Sequence, residues 1–159
     1  MRTEALVLAL VLTASRAQAQ ESRFEVALPV EVTLIGLTAG VRPEVLFRPG
    51  EPGTVSRLRL AIGVLGGPDQ LFVPVSLGYR AVFRQEHVVQ PTLGLGLEVQ
   101  HRAVFDFPLV QQFGLYVEAG CGFAVTKQLS LGAMLAVDVM FLGGPGLGIG
   151  PRLWAGWRF

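Results

Sequence analysis

Apolar side chains recur at every second position along most of this sequence, and this period of two is the feature that most restricts its fold. The segments FEVALPVEVTL (24–34) and LSLGAMLAVDVMF (129–141) illustrate it. Successive side chains of a β-strand point to opposite faces, so such alternation predicts strands with one apolar and one polar face. A chain of 159 residues built from these segments is expected to form one all-β domain.

Turn-forming stretches such as RPGEPG, GGPDQ and LGGPG divide the alternating segments into eight predicted strands. The predicted strands are 24–34, 41–47, 54–65, 71–83, 88–100, 113–125, 129–141 and 147–159. Most of them are long enough to cross a bilayer at a tilt, because about 9–11 residues are needed. The longest predicted connection is 101–112.

The charged residues of the predicted strands fall on the face opposite the apolar one. This predicted interior charge network consists of Glu31, Arg42, Glu44, Arg57, Arg59, Arg80, Glu98, Glu118, Asp138 and Arg152, and Glu25 and Arg158 share its face. A barrel in lipid carries its apolar face outward, whereas a water-soluble barrel carries it inward. Periodicity alone does not choose between them, so a soluble periplasmic lipocalin-like binding barrel is an alternative.

The first residues differ in character from the rest of the chain. An arginine, an apolar run and the sequence AQA before Gln20 are typical of a cleaved secretory signal peptide, so we assign 1–19 to a signal peptide and 20–159 to a barrel domain. The apolar run is too short to span a membrane. The lone cysteine, Cys121, cannot form an intramolecular disulfide, and a lipid bilayer would stabilise such a domain instead.

Aromatic residues gather near the ends of the predicted strands, on the apolar face. The predicted aromatic girdle consists of Phe24, Phe47, Phe83, Phe123, Trp157 and Phe159 near one end and Phe113 and Phe141 near the other. Aromatic belts at both membrane interfaces are typical of transmembrane barrels. Together with the predicted export, they favour the lipid-facing interpretation.

The sequence combines a predicted signal peptide, about eight amphipathic strands and a final strand, LWAGWRF, that ends in Phe159. In these features it resembles the small outer-membrane β-barrel proteins of Gram-negative bacteria, a group that includes the OmpA transmembrane domain, OmpX and OmpW. This resemblance implies a porin-like, antiparallel up-and-down barrel in the bacterial outer membrane. It also implies contact with outer-membrane lipid, a monomeric state, and recognition of the last strand by the barrel-assembly machinery through Leu153, Trp157 and Phe159.

An eight-stranded barrel is just wide enough for side chains to fill its interior. Counting along the strands predicts that Arg152 bonds to Glu31 and Asp138 and lies near Glu118. A lower cluster is expected to join Glu44, Arg57, Arg59 and Arg80. We therefore expect a structural or interaction role with a filled interior; the alternative is a narrow pore or transporter for small or apolar solutes.

Other functional classes find little support in the sequence. The formal net charge of +1 gives no reason to expect nucleic-acid binding. His87 and His101 lack metal-ligand spacing, no nucleophile–base pair is predicted, and the glycine-rich stretches lack the lysine of a phosphate loop. We expect no metal, no cofactor and no enzymatic activity. Phe105, Asp106 and Phe107 in the longest connection form a possible ligand loop.

Overall fold

The computed structural model describes residues 24–33, 38–49, 55–68, 70–85, 87–104 and 110–159. Its regular structure consists of ten β-strands. They are β1 (Phe24–Thr33), β2 (Thr38–Val41), β3 (Glu44–Phe47), β4 (Ser56–Ile62), β5 (Val64–Gly66), β6 (Gln70–Val82), β7 (Val89–Val104), β8 (Val110–Ala124), β9 (Leu129–Leu142) and β10 (Gly146–Arg158). The predicted signal peptide and the possible ligand loop lie outside the described residues. Within the described ranges, no helix has the length and hydropathy needed to cross a membrane.

The strands form one closed antiparallel barrel. Each main strand pairs with its neighbour along the chain, and β10 pairs with β1 from Glu25↔Arg158 to Glu31↔Arg152, which closes the sheet. Both β2 and β3 pair with β1, and both β4 and β5 pair with β6. The ten segments therefore make up eight barrel strands, and the predicted eight-stranded antiparallel barrel is confirmed.

The two interruptions lie side by side, between the paired positions Val41↔Val64 and Glu44↔Ala61. Pro43 follows β2 and has no N–H to donate to the ladder, whereas its carbonyl accepts a hydrogen bond from Ile62 N at 3.1 Å. In the next barrel strand the interruption is at Gly63, whose N–H donates to Pro74 O at 2.9 Å. Backbone pairing therefore continues across both interruptions.

One boundary differs markedly from the sequence prediction. Residues 101–104 continue β7 and pair with the beginning of β6, as in Gln70↔Val104 and Phe72↔Arg102, and β8 begins as early as Val110. The predicted connection 101–112 was therefore too long. The prediction ended the strand at residue 100 because the polar pair His101–Arg102 interrupts the apolar alternation. In the structure the strand continues through both of these residues.

The barrel has its apolar surface outside and its charges inside. Alternate residues of β1, from Phe24 to Val32, are 42–51% exposed, whereas the residues between them are buried. Within the described strands, every exposed residue is uncharged. A soluble lipocalin-like barrel requires the reverse arrangement, so the structure does not support that alternative.

Candidate functional site

The charged side chains inside the barrel form ion pairs at successive heights along its axis. We call the end at which Phe24 and Phe159 lie the terminal end, and the end at which β1 finishes with Thr33 the opposite end. The charged groups are almost completely buried: Arg42, Arg59 and Arg152 are 0% exposed. Charges buried to this degree need partners with good geometry.

Arg152 of β10 lies at the centre of the ion pairs nearest the opposite end. Its Nη2 donates to Glu31 Oε1 at 3.0 Å and to Asp138 Oδ1 at 2.9 Å. Its Nη1 donates to Glu118 Oε2 at 3.2 Å. One guanidinium thus links three carboxylates, which come from β1, β8 and β9. Counting along the strands predicts these same three neighbours of Arg152.

Arg42, at the break between β2 and β3, occupies the same level. Its Nε lies 3.0 Å from Glu31 Oε2, and its Nη1 donates to Glu98 Oε2. Glu98 Oε1 in turn accepts a hydrogen bond of 2.7 Å from Gln100 Nε2. The opposite-end cluster is thus the set Glu31, Arg42, Glu98, Asp138 and Arg152.

The middle cluster is the set Glu44, Arg59, Arg80 and Glu118. Arg59 Nε donates to Glu44 Oε2 at 2.6 Å, and Arg80 donates to both oxygens of Glu44. Arg80 Nη2 also lies 2.7 Å from Glu118 Oε1. Since Glu118 contacts Arg152 as well, the middle and opposite-end clusters are continuous.

Arg57 lies apart from these residues, although the sequence places it in the cluster of Glu44. Its Nη1 pairs with Glu25, which also accepts from Arg158 Nε at 3.2 Å and from Ser130 Oγ at 2.8 Å. Arg57 precedes Arg59 by two residues on one face of β4, so its side chain lies one step nearer the terminal end. These four residues form the terminal cluster, and the grouping of Arg57 with Glu44 was wrong.

Two buried aromatic side chains complete the interior, and the sequence analysis did not single them out. Tyr116 is 0% exposed, and the guanidinium carbon of Arg59 lies 4.8 Å from its ring centroid. Trp154 packs with Ala27 and Met134 in the apolar cluster of buried residues, and Arg80 lies 5.9 Å from its ring centroid. Along β10, Trp154 lies between Arg152 of the opposite-end cluster and Arg158 of the terminal cluster.

Glycines provide the space for both rings. A Cβ added to Gly132 would lie 2.3 Å from Trp154 Nε1, and one added to Gly96 would lie 2.7 Å from Tyr116 Cε1. Inward-facing glycines opposite an aromatic residue on a neighbouring strand are the sequence signal that could have identified Trp154 and Tyr116. The register supplies that signal directly, as in Trp154↔Gly132 and Gly96↔Tyr116.

A cavity of about 250 Å³ lies beyond the opposite-end cluster. Its charged lining residues are Glu31, Arg42, Arg102 and Asp138, and its amide side chains come from Gln70, Gln100 and Gln112. Arg102 Nε donates to Gln70 Oε1 at 3.2 Å, and its guanidinium carbon lies 5.6 Å from the ring centroid of Phe72. We call this space the vestibule.

The predicted girdle residues all lie on the outer surface. Phe24, Phe83, Phe123, Trp157 and Phe159 are 41–69% exposed, and Phe24 contacts Phe47 with ring centroids 5.0 Å apart. Near the opposite end, Phe113 is 45% exposed and Phe141 is 55% exposed.

The two histidines lie far apart along the barrel strands. His101 lies within β7, where its Nδ1 is 3.4 Å from Gln111 Nε2, and His87 lies in the turn before β7. Among the described residues, no group of three or more His, Cys, Asp and Glu side chains has the geometry of a metal site. Cys121 is partly exposed, on β8.

Comparison with solved structures identifies the type of barrel. The N-terminal β-barrel domain of Pseudomonas aeruginosa OprF is 16% identical, with a TM-score of 0.70 over 86% of this chain and 96% of that one. A major outer membrane protein from Thermus thermophilus is 15% identical, with a TM-score of 0.65 over 87% of this chain and 99% of that one. This chain has the fold of bacterial outer-membrane β-barrels.

Neisserial surface protein A is a third similar structure. It is 18% identical, with a TM-score of 0.58 over 85% of this chain and 92% of that one. No protein-family model and no curated protein sequence matches the chain. The resemblance noted from the sequence is thus confirmed at the level of the eight-stranded barrel fold.

Proposed function

We propose that this chain is an outer-membrane protein with a structural or interaction role, and that its interior side chains fill the barrel instead of lining a pore. One observation carries the proposal: Trp154 packs with Met134 and Ala27, and along β10 it lies between Arg152 and Arg158, which belong to two different buried charge clusters. Passage of an ion would require these apolar contacts and the ion pairs on either side of them to separate.

The energetics of the clusters support a fixed interior. Removing one partner of a buried ion pair costs about 3–5 kcal/mol, because the remaining charge is left uncompensated in a medium of low dielectric constant. Arg152 has three carboxylate partners and Arg80 has two. A pore that opened through this region would have to break several such contacts at once.

The outer surface supports a position in the outer membrane. Its exposed apolar side chains and terminal aromatic residues would contact the lipid, with Phe24, Trp157 and Phe159 at one interface and Phe113 and Phe141 at the other. We propose that the protein is a monomer, that residues 1–19 direct its export, and that β10 is the segment bound by the barrel-assembly machinery.

Conductance across a planar lipid bilayer tests the filled interior. The unsubstituted protein is expected to give no unitary conductance, whereas Trp154→Ala combined with Arg152→Ala is expected to leak, because the double change removes the buried indole and the ion pairs of Arg152 together. Trp157→Ala is the matched control, since Trp157 lies in the same strand but is 45% exposed on the outer surface. A steady conductance of the unsubstituted protein contradicts the proposal and favours the narrow pore.

Location is tested separately, by fractionation of cells that produce the chain. The protein is expected in the outer-membrane fraction, with a gel mobility that changes on boiling. Recovery from the soluble periplasmic fraction without detergent would contradict the proposed location.

A further inference from the structure

One cation of the vestibule lacks a carboxylate partner. Arg102 is half-buried, and its Nε donates to the neutral amide oxygen of Gln70 at 3.2 Å. No carboxylate of the described residues pairs with it, whereas Arg42 and Arg152 each pair with at least two. A guanidinium group without a counter-charge, in a partly enclosed space, is suited to bind an anion.

The neighbouring strand holds this guanidinium group in place. Phe72 of β6 is paired with Arg102 of β7, and its ring centroid lies 5.6 Å from the guanidinium carbon. Gln70, two residues away on the same face of β6, accepts the hydrogen bond from Nε. Unlike Arg42 Nη2, neither Nη atom of Arg102 is both buried and without a hydrogen bond. The edge formed by the two Nη groups can therefore be reached by a ligand.

The carboxylates that line the vestibule already have cationic partners. Both oxygens of Asp138 accept from Arg152 Nη2, at 2.9 and 3.0 Å, and Glu31 pairs with Arg42 and Arg152. A second negative charge on a ligand would be repelled by these carboxylates. A positive charge would lose its hydration beside carboxylates that are already paired. The charges of the lining therefore favour a ligand with a single carboxylate.

Apolar side chains supply much of the remaining lining. They are Leu65, Phe72, Met140, Pro145 and Leu147. An apolar cavity with a few converging polar groups is the usual form of a small-molecule site. The volume of the vestibule, about 250 Å³, lies below the range of about 300–1,000 Å³ that is typical of sites for drug-sized ligands. The vestibule is therefore suited to a small molecule whose carbon body contacts these side chains.

We propose that the vestibule binds a small monocarboxylate, with its carboxylate on the Nη edge of Arg102 and a short alkyl body against the apolar lining. The planar guanidinium group can donate two parallel hydrogen bonds to a carboxylate, an arrangement that a hydroxyl or an amine cannot accept. The ligand is a free solute that enters from the opposite end of the barrel. This inference goes beyond the proposed filled interior and does not depend on it, because the vestibule lies beyond the opposite-end cluster.

Equilibrium dialysis of radiolabelled hexanoate against the purified barrel in detergent tests the proposal, with binding to protein-free micelles subtracted. Unlabelled competitors of the same chain length differ in charge: hexanol is neutral, hexylamine is a cation, ω-aminohexanoate is a zwitterion and adipate is a dianion. Saturable binding of hexanoate is expected, and each competitor is expected to bind more weakly, by about tenfold. Absence of saturable binding, or a competitor that binds as tightly as hexanoate, would overturn the proposal.

Substitution of Arg102 identifies the group that binds the anion. Arg102→Met keeps much of the side-chain length but removes the charge, and it is expected to weaken hexanoate binding by about tenfold or more. Arg102→Lys keeps the charge without the planar fork and is expected to retain part of the affinity. Lys127→Met is the matched control, because it removes one positive charge in the turn before β9, at the terminal end. Equal hexanoate binding by folded Arg102→Met and by this control would overturn the proposal.

A pair of glycine substitutions tests whether the alkyl body lies in the vestibule. A Cβ on Gly148 would lie 3.4 Å from Asp138 Oδ2 and 3.5 Å from Thr33 Cγ2, so Gly148→Leu can be accommodated while its side chain fills the vestibule. Gly66→Leu is the matched control, because a Cβ there meets nothing within 4 Å and Gly66 does not line the cavity. Gly148→Leu is expected to weaken hexanoate binding although Arg102 is present, and Gly66→Leu to leave it unchanged.

The boiling-dependent gel shift checks that each variant is folded, so that loss of binding is not confused with loss of structure. If Gly148→Leu misfolds, Gly148→Ala is used, which narrows the cavity less and is expected to weaken binding by a smaller factor. Equal binding by a folded Gly148 variant and by Gly66→Leu would overturn the proposal, because the alkyl body would then lie elsewhere.

Discussion

Arg152 Nη2 lies 3.0 Å from Glu31 Oε1, and this contact joins the last strand of the barrel to the first. The same two residues face each other in the closing register, where Glu31↔Arg152 is one of the paired positions. The ion pair therefore connects two residues that are 121 positions apart in the chain. It reinforces the seam at which the barrel closes, in addition to the backbone hydrogen bonds.

Arg152→Met tests the contribution of this residue to stability. The substitution preserves much of the side-chain length but leaves Glu31, Asp138 and Glu118 with one cation fewer. We expect the free energy of unfolding to fall by about 3–5 kcal/mol, measured from the urea midpoint in lipid vesicles. Lys127→Met, in the turn between β8 and β9, is the control and should change stability by less than about 0.5 kcal/mol. A midpoint for Arg152→Met equal to that of the control would contradict the network.

Gly132 and Trp154 provide a second test, of packing rather than charge. Gly132→Val would bring a side chain within 2.3 Å of Trp154 Nε1, so the indole must move or the strands must separate. We expect a loss of about 1–3 kcal/mol, typical of overpacking. Gly132→Val combined with Trp154→Leu should lose less than the sum of the two single changes. Strict additivity in this double-mutant cycle would show that the ring does not depend on Gly132 for its space.

The sequence was sufficient to predict the barrel and the face of each charge. Strict alternation fixes which side of a strand a residue occupies, so the inward position of Glu31, Asp138 and Arg152 follows from parity once the apolar face is known. Their mutual contact also follows from counting along the strands, because neighbouring antiparallel strands with short turns keep nearly the same register.

What the sequence did not predict depends on contacts across the barrel. Arg57 was grouped with Glu44 because a position along the barrel axis, counted from the strand end, does not distinguish two partners that lie two residues apart in a strand. The structure pairs Arg57 with Glu25 instead. Trp154 and Tyr116 were missed because their environment is formed by glycines on neighbouring strands. The vestibule was missed because it arises from the distances between several strands and not from any local motif.

A charge placed on the outer surface tests whether that surface lies in lipid. Leu97 is 61% exposed near the middle of β7, and Val89 is 47% exposed on the same face at the beginning of that strand. If the barrel spans a bilayer, Leu97→Arg should cost about 2–4 kcal/mol of folding free energy in vesicles and Val89→Arg about 0–1 kcal/mol. Equal and negligible effects at both positions would indicate a surface in contact with water.

Closure itself can be tested by cross-linking the first and last strands. Leu28 and Ala155 are paired positions of β1 and β10, with both side chains on the outer face. In a background with Cys121→Ser, Leu28→Cys together with Ala155→Cys is expected to form a disulfide on mild oxidation, because directly opposite residues of antiparallel strands lie within disulfide range. The cross-linked chain should migrate differently from the reduced chain on a denaturing gel after boiling.

Leu28→Cys with Leu135→Cys is the matched control for that experiment. Leu135 also lies on the outer face, but it belongs to β9 and pairs with Pro151 on one side and Ala119 on the other, not with β1. This pair should remain reduced under the same conditions, because no strand pairing holds the two thiols together. Equal cross-linking of both pairs would show that the thiols meet by non-specific contact, whereas cross-linking of the first pair alone requires the register in which β1 and β10 close the barrel.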